Sequence, residues 1–305
     1  MKKIFYLFVA FILLTSYQSK KVDLGLNLTK GEIYYQTMNS NMTITQTING
    51  TLVNVIMGIN GKMSYKVTDV QDSGYNMEVR YENLSMKIGM ANTVKEFSSE
   101  KNDETDIISE LLGILKNKPF FVKMSRTGKV SEVRNIETIF AQLFDKFPQL
   151  TAAQKQQIQD QLMQAYGEKA FKGNLEMISA IFPDSPVSKG DKWPVNIQLE
   201  SGMACKLETV YELTDIGRTY YQLSGNTIME SADKDAYIET NGMPLKYDLQ
   251  GTMLSDIKIN KKTGWIMNAT ITQAIKGTAY IKDNPKMPGG MTIPITMNSE
   301  MSISE

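Results

Sequence analysis

The chain has 305 residues, 42% of them hydrophobic, with 33 Lys and Arg balanced by 33 Asp and Glu. That is enough for one large domain or two smaller ones, and it offers no basic field to recruit nucleic acid or an anionic membrane. The complete lack of histidine excludes Ser-His-Asp and Cys-His nucleophile systems and every His-ligated metal site.

Residues 1–18 read as a secretory signal peptide. Lys2 and Lys3 open it, Ile4 to Leu14 is an unbroken apolar run, and a polar exit follows. The run is much shorter than the ~20 residues of a membrane-spanning helix, and nothing later is long enough to span. An exported chain is expected, periplasmic or secreted, with no transmembrane segment once the leader is removed. Cys205, the one cysteine, lies far from the leader, so it is neither a lipidated first residue nor half of an internal disulfide.

After the leader the sequence states the same pattern twice. Lys30-Gly31-Glu32-Ile33-Tyr34 returns as Lys189-Gly190-Asp191-Lys192-Trp193. Tyr65 to Val70 returns as Tyr211 to Ile216, and Arg126-Thr127-Gly128 returns as Lys262-Thr263-Gly264. Three matches in one order indicate an internal duplication. The organisation expected is a first β-rich repeat over 19–135, a helical insert over 136–185 and a second β-rich repeat over 186–305.

Within each repeat the pattern is of strands. Asn49-Gly50, Asn60-Gly61 and Asn241-Gly242 read as hairpin turns. Lys206–Leu213 alternates loosely and Met291–Met297 strictly, placing 291, 293, 295 and 297 on one face. Periodicity predicts a helix over 103–116, with Ile107, Ile108, Leu111, Leu112 and Leu115 on its apolar stripe and Asp103, Glu104 and Asp106 at its N-terminal end. The insert carries an apolar face at Ile136, Ile139, Phe140, Leu143, Phe144 and Phe147, stopped at Pro148. Thr151 and Gln154 form a capping box for a Gln-rich surface helix, and a further segment runs over 170–182. The fold class is mainly β (α+β): two related curved antiparallel sheets or half-barrels, with a helical insert between them.

Lys189-Gly190-Asp191-Lys192-Trp193-Pro194, following Phe182-Pro183-Asp184-Ser185-Pro186-Val187, resembles exported bacterial proteins grouped only as a family of unknown function. That resemblance brings no catalytic residues. Strands wrapping helices are also similar, in architecture, to the half-barrels of periplasmic lipoprotein carriers.

The remaining constellations read as structural. Asp233 and Asp235 sit in a polar hairpin loop, and Asp69 and Asp215, repeated in both copies, read as turn formers. Trp193 and Trp265 read as packing anchors at corresponding joints of the repeat. Twenty methionines include Met-x-x-x-Met pairs at 38/42, 86/90, 287/291 and 297/301; on a strand such pairs share a face. They suit an adaptable apolar interior better than a Cu(I) site, which often also recruits His or Cys. No catalytic residue, metal ligand or cofactor is assigned, and the ligand-binding residues stay open. The expected function is non-enzymatic binding or carriage of an apolar or amphipathic ligand such as a lipid. The alternative is a structural or assembly component that contacts other envelope proteins. An open apolar cavity of a few hundred Å³ would favour the first.

Overall fold

The computed structural model describes residues 21–90, 93–101, 106–143, 151–200, 203–240 and 242–305. The expected leader at 1–18 therefore lies outside the described residues, as do Asp103, Glu104, Phe144, Phe147, Pro148 and Asn241.

In chain order the elements are β1 (Ile33–Ile48), β2 (Thr51–Gln71), β3 (Gly74–Met90), β4 (Thr93–Ser98), α1 (Ile107–Leu115), β5 (Phe120–Met124) and β6 (Val130–Arg134). The helices α2 (Ile136–Leu143), α3 (Ala152–Tyr166) and α4 (Glu168–Ser179) follow. The chain then returns to β7 (Lys192–Leu199), β8 (Cys205–Ile216), β9 (Tyr220–Ser231), β10 (Ile238–Thr240), β11 (Met243–Asn260), β12 (Ile266–Ile281) and β13 (Met291–Ser304).

The 13 strands among the described residues join one antiparallel sheet in the order β6-β5-β3-β2-β1-β13-β12-β11-β9-β8-β7, with β4 added to β3 and β10 to β11. The run β6-β5-β3-β2-β1 repeats as β12-β11-β9-β8-β7, and β13 sits between the copies as their seam. The two related antiparallel halves expected from the duplication join edge to edge as one continuous sheet.

The repetition extends to single atoms. Gly31 N donates to Val67 O at 2.8 Å, and Gly190 N to Leu213 O at 2.8 Å. The pairing slips at Val67/Asp69 and again at Leu213/Asp215. Thr68 Oγ1 donates to Asn76 O and Thr214 Oγ1 to Gln222 O. Asp69 and Asp215 are strand-end ion-pair partners rather than turn formers: Lys30 Nζ lies 3.0 Å from Asp69, and Lys189 Nζ lies 2.7 Å from Asp215. The lysine hydrogen bond is the first cause holding each carboxyl below its usual value.

Helix α4 joins the two ends of the sheet. Glu176 accepts from the backbone N–H of Val130 on β6 at 2.7 Å, and Ser179 Oγ donates to Gly128 O at 2.7 Å. On the other side, a Cβ on Gly173 would lie 3.2 Å from Leu199 of β7, and Trp193 Nε1 donates to Ile181 O at 3.0 Å. Eleven strands laid flat would hold their edges about 48 Å apart, whereas a 12-residue helix is about 18 Å long. One helix reaches both edges only because the sheet curls.

Local signals explain most turns. Asn49 and Gly50 both have positive φ (48° and 78°), the type I′ geometry that closes β1 onto β2. Asn60-Gly61 is not a turn. It continues β2, and Gly61 faces inward, where a Cβ would stand 3.3 Å from Leu84 Cδ1.

Helix α1 is shorter than its apolar pattern suggests. Leu112 is buried, but Ile107 and Ile108 are exposed. Asp106 is its N-cap, accepting from Ser109 N and Ser109 Oγ, with Lys101 at 2.7 Å. The Lys101 hydrogen bond, more than any other influence, lowers the Asp106 pKa from 3.8 to about 2. A depressed carboxyl stabilises above its unfolded pKa and loses that contribution as pH falls through the folded value. Asp106→Ala is therefore expected to cost about 1 kcal/mol near neutrality. In thermal melts the wild type and variant should converge by about pH 2. Parallel melting curves at every pH would rule the cap out.

Candidate functional site

The inner face is defined by the core. At the end where α4 joins the edges, the inner side chains are Tyr65 and Val67 of β2, Met77 and Val79 of β3, Leu213 of β8, Leu223 of β9 and Ile259 of β11, all at most 2% exposed. Against them lie Ile181 and Phe182 after α4, and an N-terminal strap over 21–28. Leu24, Leu26 and Leu28 of the strap are 3–5% exposed.

Backbone hydrogen bonds tie the strap to both copies. Val22 and Val187 exchange a pair at 2.7 and 2.9 Å, Leu26 N donates to Arg126 O, and Asn27 N donates to Thr263 O. Gly128 and Gly264 turn β5 into β6 and β11 into β12, with φ of 83° and 69°. A Cβ on Gly264 would fall 2.2 Å from Gly25 O. The strap is a structural element missed in the sequence, although its strict Leu24-x-Leu26-x-Leu28 alternation was there to be read.

Both tryptophans anchor this packed end, but they are not counterparts. Trp193 stands opposite Tyr211 as Tyr34 stands opposite Tyr65. Trp265 packs 5.2 Å from Tyr34 and 5.1 Å from Tyr65, with Nε1 donating to Tyr35 O at 2.9 Å. Burial pushes the Tyr65 and Tyr211 hydroxyls far above their ordinary pKa, so both are neutral, structural phenols. The enclosed space left here is about 20 Å³, bordered by Leu26, Tyr65, Met124, Leu175 and Trp265. It is about the size of one water molecule. Among the described residues, the space at this end is far smaller than a cavity of a few hundred Å³.

Beyond a polar row the inner face changes character. Ser299 donates to Gln273, Gln273 donates to Met229 Sδ, and Thr209 and Thr227 share a hydrogen bond. Further from the strap, β1, β2, β3, β11, β12 and β13 run on with an apolar inner side. Register places Met42 across from Met57, Ile59 across from Met86, and Ile44 across from Met297. Met38, Met42, Ile44, Val53, Val55, Met57 and Ile59 all remain partly exposed. A second apolar cluster, Leu249, Ala279, Ile295 and Met297, lies in the same half. Among the described residues the helices pack chiefly on β3, β4, β6, β7 and one another.

Three of the four methionine pairs, 38/42, 86/90 and 297/301, fall on this inner face. The 287/291 pair does not share a strand, because Met287 lies in the turn before β13. Asp233 and Asp235 are exposed, with Asp233 accepting from Asp235 N and Ala236 N. Cys205 is buried and its thiol pKa is raised by that burial.

Two solved structures are similar in part. A chain from a study of lipid–protein interactions in lipovitellin aligns with a TM-score of 0.49 and 8% identity, over 91% of this chain and 25% of that one. This chain thus spans about a quarter of the lipovitellin chain. The COG4313 outer membrane channel from Pseudomonas putida F1 aligns with a TM-score of 0.23 and 8% identity, over 92% of this chain and 99% of that one. No curated protein matches the sequence. Residues 72–266, more than half of the chain, match the profile described as "Family of unknown function (DUF6263)", and the chain belongs to that family.

Proposed function

We propose that the protein is an exported, non-enzymatic envelope component that binds an apolar or amphipathic ligand along the open half of its inner face. The supporting observation is the contrast between the two halves. Strap, α4 and aromatic side chains fill one end, while methionine and branched aliphatic side chains at the other stay partly exposed. Methionine adapts its shape to varied apolar surfaces, and a trough open at one end admits a long chain that a closed pocket would refuse.

Gently purified protein should carry a lipid or other apolar molecule, detected by native mass spectrometry and by extraction. Removing it should lower thermal stability by mass action. Met57→Asp should abolish retention with the far-UV spectrum unchanged. The second reading, an assembly component acting through protein contacts, is favoured by the nearly void-free end and by the exposed run 93–96 of β4, which among the described residues pairs only with β3. Ligand-free native spectra with no stability change on extraction would select it.

A further inference from the structure

The β1–β2 turn, the β12–β13 connection and the facing ends of β3, β4, β10 and β11 all lie at the end of the sheet opposite the strap. Around the β1–β2 turn and the adjoining ends of β3 and β4, bare apolar side chains stand on both faces. On the outer face Leu52 is 69%, Ile56 48% and Val94 54% exposed. Ile56 stands across from Gly89 and Gly89 across from Val94, so two of these side chains flank a glycine that leaves them uncovered. On the inner face Met90 is 59% exposed. From Ile33 to Gly61 the chain has no charged residue at all. In the other half of the sheet this rim carries Lys246, with Nζ 5.4 Å from the Tyr237 ring and 5.5 Å from the Tyr280 ring, and Lys282 at 5.6 Å from Tyr237.

A ligand lying in the trough covers only the inner side chains, and Leu52, Ile56 and Val94 point the other way. A protein partner docked on one surface would likewise cover one face of a hairpin. A bilayer surface receives both faces at once, because a hairpin tip enters it end-on. Hydrocarbon tolerates such a tip only where it lacks charge, which this hairpin does. Lysine and tyrosine occupy the headgroup level of membrane-bound proteins, where the cluster on the other half of the rim would then sit. Lys246 also pairs with Asp235 at 3.4 Å, so apolar insertion rather than a basic field supplies the attraction.

We propose that this rim seats on a lipid bilayer, with the β1–β2 tip in the interfacial layer and the Lys–Tyr cluster among the headgroups. The rim is the mouth of the proposed ligand site, and in its purpose the inference rests on that reading.

Flotation of the full chain with phosphatidylcholine vesicles, with and without added anionic lipid, tests it. Wild-type protein should float with both vesicle types and persist in high salt. Leu52→Asp with Ile56→Asp should reduce the bound fraction at least about tenfold while keeping the melting temperature and any co-purified molecule. Met57→Asp, on the inner face, should do the reverse: lose the molecule and keep flotation. Failure of wild-type protein to float, or equal flotation of the outer-face double variant, overturns the membrane seat. A double variant that changes only the oligomeric mass overturns it in favour of contact between two copies. Wild-type flotation without any co-purified molecule would sink the ligand reading alone.

Discussion

Gly264→Ala should destabilise the protein by about 3 kcal/mol or more, far beyond the usual cost of an alanine at positive φ. The φ of 69° accounts for about 1 kcal/mol. The rest comes from contact, because the new Cβ would stand 2.2 Å from the carbonyl oxygen of Gly25 and 3.1 Å from Leu26 Cα. Backbone cannot swing aside as a side chain would, so the strap must lift and uncover Leu24 and Leu26. Gly128→Ala meets Ser179 O at 1.7 Å and should be as severe. Gly190 is the control: its φ is 90°, yet a Cβ there meets nothing within 4 Å, so Gly190→Ala should cost about 1 kcal/mol. Urea unfolding of the three variants decides the matter. Equal losses at Gly264 and Gly190 would mean that the strap does not press on the β11–β12 turn.

Trp265→Ala is expected to cost about 3–5 kcal/mol. The indole is 4% exposed, packs on two tyrosines and sits beside the existing small cavity. Its removal enlarges an unfilled space and strands the Tyr35 carbonyl that its N–H satisfies. Trp265→Phe should recover much of the packing and still lose about 1 kcal/mol for the missing hydrogen bond. A loss under about 1 kcal/mol for Trp265→Ala would show that the strap, not the aromatic cluster, sustains this end.

What the sequence made legible was whatever depends on neighbours along the chain. The Asn49-Gly50 turn, the Thr151–Gln154 capping box, the two Thr-Gly turns and the alternation of β13 are local chemistry, and the structure has them. Asn60-Gly61 misled because the same dipeptide serves a turn or a strand. Here the glycine packs closely on Leu84 of the adjoining strand, a contact invisible along the chain. Asp69 and Asp215 misled for the same reason, since their lysines arrive from 39 and 26 residues away. The methionine spacing announced a shared face. It did not announce that faces on β1, β2, β3 and β13 would merge, which requires the register of residues up to 267 positions apart, as Thr37 is from Ser304.

The seam strand sets the timetable of folding. β1 can pair with β2 as soon as both exist, but its other edge waits for β13, whose Ser304 lies opposite Thr37. Such distant pairings are closed late and slowly. Until they close, a hairpin uncharged from Ile33 to Gly61 and with a bare edge is exposed to any other extended chain, the situation that favours misassembly. Refolding yield is therefore expected to fall as the chain concentration rises, because β13 is the strand that covers the free edge of β1.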